Sequence, residues 1–363
     1  MRRIKRGDIN RMQAKYLKDW EQDMNICIRC AYCFEGCPVF KDLGWEPDGA
    51  RGKVILSFGL LTGELEPSKY IADKIYQCTY CKDCIERCSA NVSIPDILTA
   101  ARSDLVNAGY EYDQHKELLD KIKRTGNIFG KKIDPPLQEG ETPVLLGCRF
   151  LERTDDAKKY LEILKKLGMK PRIVDENCCG MPFAVLGYKD GLATHKEEFR
   201  KRFPYKEFIC LCTTCAFFIK KAYPDLKPKY VIETIAERLP LYKSKKLDLK
   251  VTYHDPCNVS RGMGMVDEPR EILKQIGVEL VEMETKGKQA ECCGGGGGVL
   301  VTDKILAERL AEKRMNQALE TGVNTLVTLC PTCEYNIRNV ANKNGGKLEV
   351  KNVLDIIWNA ICQ

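Results

Sequence analysis

The 363-residue chain predicts an α+β protein: an α-helical domain carrying two four-cysteine runs, followed by two α/β Cys-Cys-Gly lobes related by a pseudo-twofold. Three observations predict it. Twenty cysteines fall into ordered groups, the last two groups repeat one another, and helical apolar spacing gives way to strand–helix alternation after the first third of the chain. The expected division is a helical domain over 1–125, a linker over 126–142, a first lobe over 143–248 and a second over 249–363.

The first domain reads as helical because the 40 residues between its cysteine runs carry Gly49-Ala-Arg-Gly-Lys-Val-Ile-Leu and then Leu60, Leu61 and Leu65 at helical spacing. A second helix is expected over Ile94–Asn107. Thr125-Gly-Asn-Ile-Phe-Gly130, Asp134-Pro-Pro and Glu139-Gly-Glu-Thr-Pro143 supply the glycine and proline density of a linker.

Beyond the linker the offsets Cys148 to Cys257, Cys178 to Cys292 and Cys212 to Cys330 are 109, 114 and 118, which is duplication with short insertions. Short apolar strands end at Cys148 (from Val144) and at Cys257 (from Val251). Asp156–Leu167 reads as an amphipathic helix stopped by Gly168, matched by one from an Asp267 N-cap with Pro269 inside to the stop at Gly277. Phe208-Ile-Cys-Leu and Thr325-Leu-Val-Thr-Leu are strands delivering Cys-x2-Cys pairs, and each half closes on a helix, at Val231 and at Val353. A long helix is expected over Val301–Leu319. Strands alternating with helices imply parallel sheets.

Composition narrows the class. A hydrophobic fraction of 44% and a charged fraction of 30% describe an ordinary soluble domain protein, and no apolar run of about 18 residues spans a membrane. A disulfide framework belongs to short secreted chains, whereas thiolates that hold metal need a reducing compartment; cytoplasm is expected, peripheral to a membrane only through a partner. Net charge is +7, with seven basic residues among the first twenty, which reads as a solvated arm. No fold module for nucleic acid surrounds them.

The motifs carry the chemistry. Cys27-x2-Cys30-x2-Cys33-x3-Cys37 and Cys78-x2-Cys81-x2-Cys84-x3-Cys88 have the spacing of two-cluster ferredoxins, in which three thiolates of a run hold one cluster and the fourth reaches the other. Two cubane [4Fe-4S] clusters follow: Cys27, Cys30, Cys33 and Cys88, then Cys78, Cys81, Cys84 and Cys37. Zinc would use Cys-x2-Cys pairs, but repeated four-cysteine runs without a nearby histidine disfavour it. The later groups, Cys148/Cys178-Cys179/Cys212-x2-Cys215 and Cys257/Cys292-Cys293/Cys330-x2-Cys333, offer five thiolates each, one more than a cubane needs. Each therefore points to an irregular cluster, against a cubane with a spare thiol or metal-free redox thiols. Gly180 and Gly294 are expected to let backbone approach sulfur. The Gly294–Gly298 run reads as a cradle of backbone N–H groups at a helix start, against a flexible linker.

Of the three histidines, His115 and His195 lie in charged helical stretches and read as solvated, while His254, three residues before Cys257, could donate to cluster sulfur. Catalysis is placed at His254, Cys257, Cys292 and Cys293, the half with the glycine run. Cys210 and Cys362 read as structural. No flavin or dinucleotide motif is present, so the chain binds no flavin and needs an electron-donating redox subunit.

These four groups together resemble the D subunit of heterodisulfide reductase, over nearly the whole chain. The resemblance implies that each Cys-Cys-Gly half holds a non-cubane [4Fe-4S] cluster through its five cysteines. It also implies that the small anionic disulfide of coenzyme M and coenzyme B is cleaved between them. Donors would be a flavoprotein, a hydrogenase-type protein or a membrane b-type cytochrome. The layout is also similar to iron–sulfur subunits of glycolate, lactate and anaerobic glycerol-3-phosphate dehydrogenases and of quinone-linked membrane complexes, which would make the chain an electron relay. Arg149, Lys286, Lys288 and Arg261 are the basic residues whose positions suit an anionic disulfide.

Overall fold

The structure, a computed structural model, describes residues 14–133, 139–174 and 177–363. The basic arm falls mostly on residues 1–13 and part of the linker on 134–138, outside the described residues.

Helices dominate the first domain, including Ala50–Thr62, Lys69–Tyr76, Ile94–Asn107 and Asp113–Thr125. Ser68 caps Lys69–Tyr76 by accepting from the Ile71 N–H. Pro95 in the first turn of Ile94–Asn107 forfeits only an N–H that has no intrahelical acceptor.

Each lobe is a four-stranded parallel sheet. The first comprises β1 (Thr142–Leu145), β2 (Pro171–Ile173), β3 (Glu207–Cys210) and β4 (Lys227–Tyr230) in the order β2-β1-β3-β4. The second comprises β5 (Leu249–His254), β6 (Val278–Leu280), β7 (Thr325–Thr328) and β8 (Glu349–Asn352) in the order β6-β5-β7-β8. Identical strand orders with equivalent cysteines mark the duplication. The chain reverses its winding between β1 and β3, and again between β5 and β7. Crevices beyond the carboxyl ends of such strands are where doubly wound sheets bind ligands.

The lobes pack reciprocally. Helix Thr154–Lys166 of the first meets Val353–Cys362 of the second, and Val231–Arg238 meets Glu268–Gln275, so each lobe packs the helix before its second strand on the other's last helix. One apolar core runs through both, with Tyr160, Leu164, Ile356 and Ile357 fully buried and the Tyr160 hydroxyl donating to Asp355 at 2.9 Å. At about 1.5–3 kcal/mol per buried large aliphatic side chain, this shared core holds the lobes as one body.

Three expectations are corrected. The helix expected over Val301–Leu319 is two helices, Val299–Thr302 and Lys304–Leu319, because Asp303 leaves helical geometry and its carboxylate caps the second by accepting from the Leu306 N–H at 3.0 Å. Asp267 holds the N-cap position of Glu268–Gln275 without a side-chain capping bond. His115 and His195 are buried rather than solvated, since each occupies the inward stripe of a helix whose other faces are charged. His115 hydrogen-bonds Thr302 at 2.7 Å, and burial, with Arg102 nearby, lowers its pKa to about 3, so it is neutral at pH 7.

Candidate functional site

The two four-cysteine runs adopt matching loops. Arg29 and Ala31 in the first, like Tyr80 and Lys82 in the second, hold left-handed backbone at φ of +57°, +71°, +56° and +67°. Non-glycine residues rarely sit there, and such turns aim successive N–H groups inward, as anion-binding nests do. Cys27, Cys30, Cys33 and Cys88 surround one small void, so the structure brings the fourth cysteine of the second run to the first three of the first run. Cys37 lies instead among the second run: burial pushes its thiol up to about 11, with Cys78 and Cys81 adding to the rise.

The two sets differ in depth. Cys30 is exposed, and Ile28 and Tyr32, which line the same void, expose 71% and 64% of their surface, as Ile26 and Trp45 of the same domain expose 48% and 74%. Cys81 and Cys84 are buried.

In the lobes, Cys148 follows β1 and Cys212 follows β3, while Cys257 and Cys330 follow β5 and β7, which places both five-cysteine groups at the reversal points. Gly147, at φ +82° and ψ 148°, makes the bend into Cys148; a Cβ there would lie 2.5 Å from Cys212 Cβ. The thiols converge in the same pattern in both halves. Cys179 is bonded by Cys178 and Cys215, as Cys293 is by Cys292 and Cys333, with Cys293 Sγ 3.0 Å from Cys333 Sγ. Those contacts lower the pKa of Cys179 and of Cys293, and in the second lobe the contact with Cys333 lowers that of Cys330 as well.

Both groups open on one cavity of about 710 Å³, with Cys148, Cys178, Cys179, Cys212 and Cys215 on one wall and Cys257, Cys292, Cys293, Cys330 and Cys333 on the other. Among the described residues no cysteine is in a disulfide, and soft sulfur donors in convergent sets are what iron–sulfur clusters require. Cys292 also contacts Cys81, joining the buried ferredoxin set to the second lobe.

His254 ends β5, fully buried, with a ring nitrogen within 4.8 Å of the Cys293 and Cys333 sulfurs. Arg314 Nε donates to its Nδ1 at 3.0 Å, which puts the ring proton on Nε2. Burial, then Arg314, holds its pKa well below the usual range, so the ring offers a neutral N–H rather than an acid proton. It stands outside the cavity lining.

Among the four basic residues expected at the site, Arg149 lines the cavity, its guanidinium 4.7 Å from the Tyr335 ring. Lys286, Lys288 and Arg261 do not. Lys288 pairs with Glu86 at the surface, and Arg261 is buried against the carbonyls of Cys81, Lys288 and Ala290. Gly295–Gly298 line the cavity, ahead of a helix of four residues, and the run has a second, packing role. A Cβ on Gly296 or Gly297 would meet Thr79 O at 2.4 Å or Cys78 O at 2.2 Å, so these glycines let the second ferredoxin loop dock. Gly180 and Gly294 likewise make room for packed helices, although the Gly294 N–H does reach Cys292 Sγ at 3.3 Å.

A model of the cysteine-rich CCG domain matches residues 144–217 and 251–338, and a 4Fe-4S dicluster domain model matches residues 23–92. The B subunit of the fumarate reductase (CoM/CoB) of Methanothermobacter marburgensis is 31% identical over 96% of this chain and 74% of that protein. The chain belongs to the family of heterodisulfide reductase D subunits and their relatives. It is thus an iron–sulfur electron-transfer protein related to heterodisulfide reductase. The D subunit of the dihydromethanophenazine:CoB–CoM heterodisulfide reductase of Methanosarcina barkeri is 27% identical over 93% of this chain and 94% of that protein. The EtfAB:quinone oxidoreductase of Syntrophomonas wolfei is 24% identical over 93% of this chain and 58% of that protein. Among solved structures, a hypothetical protein from Helicobacter pylori shares the fold, with a TM-score of 0.58 over 98% of this chain and 74% of that chain at 10% identity. No described helix is long and apolar enough to cross a membrane.

Two features of this family member had no local sequence signal. Arg102, fully buried, donates to the carbonyls of Ile75, Tyr76 and Cys78 in its own domain, Val185 in the first lobe and Gly297 in the second. Cys210, expected to be structural, ends β3 with its thiol bonded to Cys215 and donating to Cys212 O at 3.4 Å. Cys362, by contrast, packs against the core of the lobes, as expected.

Proposed function

We propose that this chain takes electrons singly through cubane [4Fe-4S] clusters on Cys27/Cys30/Cys33/Cys88 and Cys78/Cys81/Cys84/Cys37, and reduces a disulfide of the coenzyme M–coenzyme B type. Non-cubane [4Fe-4S] clusters on the two five-cysteine groups complete the set. One observation carries this reading: both groups face one cavity of about 710 Å³, a space that two clusters on its walls and a small ligand between them would share. Clusters held by the two groups would supply, when bound, the two electrons of RS–SR′ + 2e⁻ + 2H⁺ → RSH + R′SH. The chain's own residues do the rest. Its thiolates would hold the clusters at the walls, the apolar part of the lining packs against the substrate, and Arg149 draws an anionic end of it.

Electrons would enter at the exposed Cys30 flanked by Ile28 and Tyr32, the surface proposed for a donor such as a flavoprotein or b-type cytochrome. They leave the ferredoxin part at the Cys81–Cys292 contact, which makes the second lobe the first to be charged. His254, its Nδ1 held by Arg314 and a ring nitrogen within 4.8 Å of the sulfurs of Cys293 and Cys333, acts through these ligands rather than on substrate.

A second reading, an electron relay for a flavin-dependent dehydrogenase or a quinone-linked complex, draws on the likeness to an EtfAB:quinone oxidoreductase. Arg149→Ala separates the two. On the enzyme reading, losing one charge-assisted contact of about 1.5–3 kcal/mol raises KM for the disulfide roughly 10- to 100-fold with kcat little changed. An unchanged KM would count against a cavity-bound anion.

A further inference from the structure

The two cysteine lobes are alike in sulfur but unlike in charge. Arg261 lies in a π-helical segment, Asn258–Gly262, immediately after Cys257, with its side chain 1% exposed. Single π-turns of this kind cluster at functional sites. Its Nε donates to Cys81 O at 2.6 Å, its Nη1 to Lys288 O and Ala290 O at 2.7 and 2.9 Å, and its nearest carboxylate, Asp83, stands at 3.6 Å. Asp83 is already bonded by Arg87 at 2.6 Å, so Arg261 keeps much of its charge for its surroundings. Those surroundings are Cys81, Cys257 and Cys292, one thiol of the ferredoxin set and two of the second lobe. Lys82 adds a second cation between the same two sets, bonded to Asn258 and 3.9 Å from the Phe217 ring.

Among the described residues, the first lobe has no cation at the equivalent position, Arg149 beside Cys148 reaching instead toward Tyr335. The position equivalent to Arg261, four residues after the first cysteine, is Glu152, and that equivalent to His254 is Leu145. Around Cys178 and Cys179 stand the neutral partners His195, bonding Cys178 O at 2.6 Å, and Tyr223, bonding Cys179 O at 3.0 Å.

We propose that Arg261, seconded by Lys82, sets the cluster of the second lobe at a higher reduction potential than that of the first, so that the two sites fill in order rather than together. The proposal rests on the reading that both groups hold clusters. Each added electron makes a cluster more negative, and a fixed cation in a low-dielectric interior stabilises the reduced form. With Cys81 touching Cys292, an electron leaving the ferredoxin part moves toward Arg261, and the second lobe is charged before the first. Arg261 is on this account a tuning residue acting through Cys81, Cys257 and Cys292.

The test is an EPR-monitored potentiometric titration of the full-length, cluster-loaded protein, with Cys293→Ala identifying the second-lobe signal by its loss. In the unsubstituted chain that signal should titrate at the higher potential. Arg261→Gln should lower its reduced-to-oxidised ratio about tenfold at fixed potential, a shift of about 59 mV for a one-electron couple. Arg261→Lys should restore the potential despite losing the forked hydrogen bonds. An unmoved midpoint in Arg261→Gln, or equal shifts in Gln and Lys, overturns the proposal. Should Arg261→Gln lose iron, Lys82→Gln reads the same field from the ferredoxin side, and an unmoved midpoint there overturns it too. Iron and sulfide content, measured alongside, reports separately on whether the clusters exist.

Discussion

Cys293→Ala is expected to remove about four of roughly sixteen iron atoms and to lower disulfide reduction on the order of 10³-fold or more, while the ferredoxin signals persist. The reason is positional. Cys293 contacts both Cys292 and Cys333, its Sγ 3.0 Å from Cys333 Sγ, so it stands at the centre of its group. Its backbone is held independently, with Asn336 Nδ2 donating to Cys293 O at 2.7 Å, so the loss of one sulfur leaves the loop in place. Cys362→Ala, at a site remote from the cavity lining, is the matched control and should leave iron content and rate unchanged. Iron and acid-labile sulfide analysis with EPR of anaerobically prepared protein checks both variants.

Arg102→Met carries the largest expected cost in stability. Arg102 is fully buried, sandwiched between the Tyr76 and Tyr80 rings at 4.7 and 4.5 Å, and its donors end on five backbone carbonyls drawn from all three parts of the chain. Methionine fills part of the volume but leaves those carbonyls unbonded and dry. That costs about 3–5 kcal/mol, a fall of roughly 10 °C in the first thermal transition. Because Cys78 O and Gly297 O share this one guanidinium, electron transfer between the ferredoxin set and the lobes should slow in the same variant. Calorimetry and stopped-flow reduction measure the two effects; Arg102→Lys, with charge but no fork, should fall between.

Much of this molecule was legible in its sequence because cysteine spacing and strand–helix alternation are local. Helix Ile94–Asn107 falls where its Pro95 and apolar spacing place it, and β3 and β7 deliver Cys212 and Cys330 as their apolar runs require. What could not be read depends on distant parts of the chain meeting. The Cys81–Cys292 contact, the five carbonyls gathered by Arg102 and the docking of Gly296 and Gly297 on Thr79 and Cys78 join separate domains. His115 and His195 misled for another reason: average polarity hides the one inward stripe on a charged helix. The break at Asp303 did have a signal, an aspartate able to cap, which the apolar periodicity on either side masked.

The central claim is that a disulfide is reduced in the cavity between the two cysteine walls. The direct measurement is to reduce the anaerobic, cluster-loaded protein, add the coenzyme M–coenzyme B disulfide, and count thiols against cluster reoxidation. Two thiols released per two electrons lost from the clusters is the predicted result. Clusters that stay reduced, with no thiol formed although iron is complete, would contradict it and leave the chain a relay.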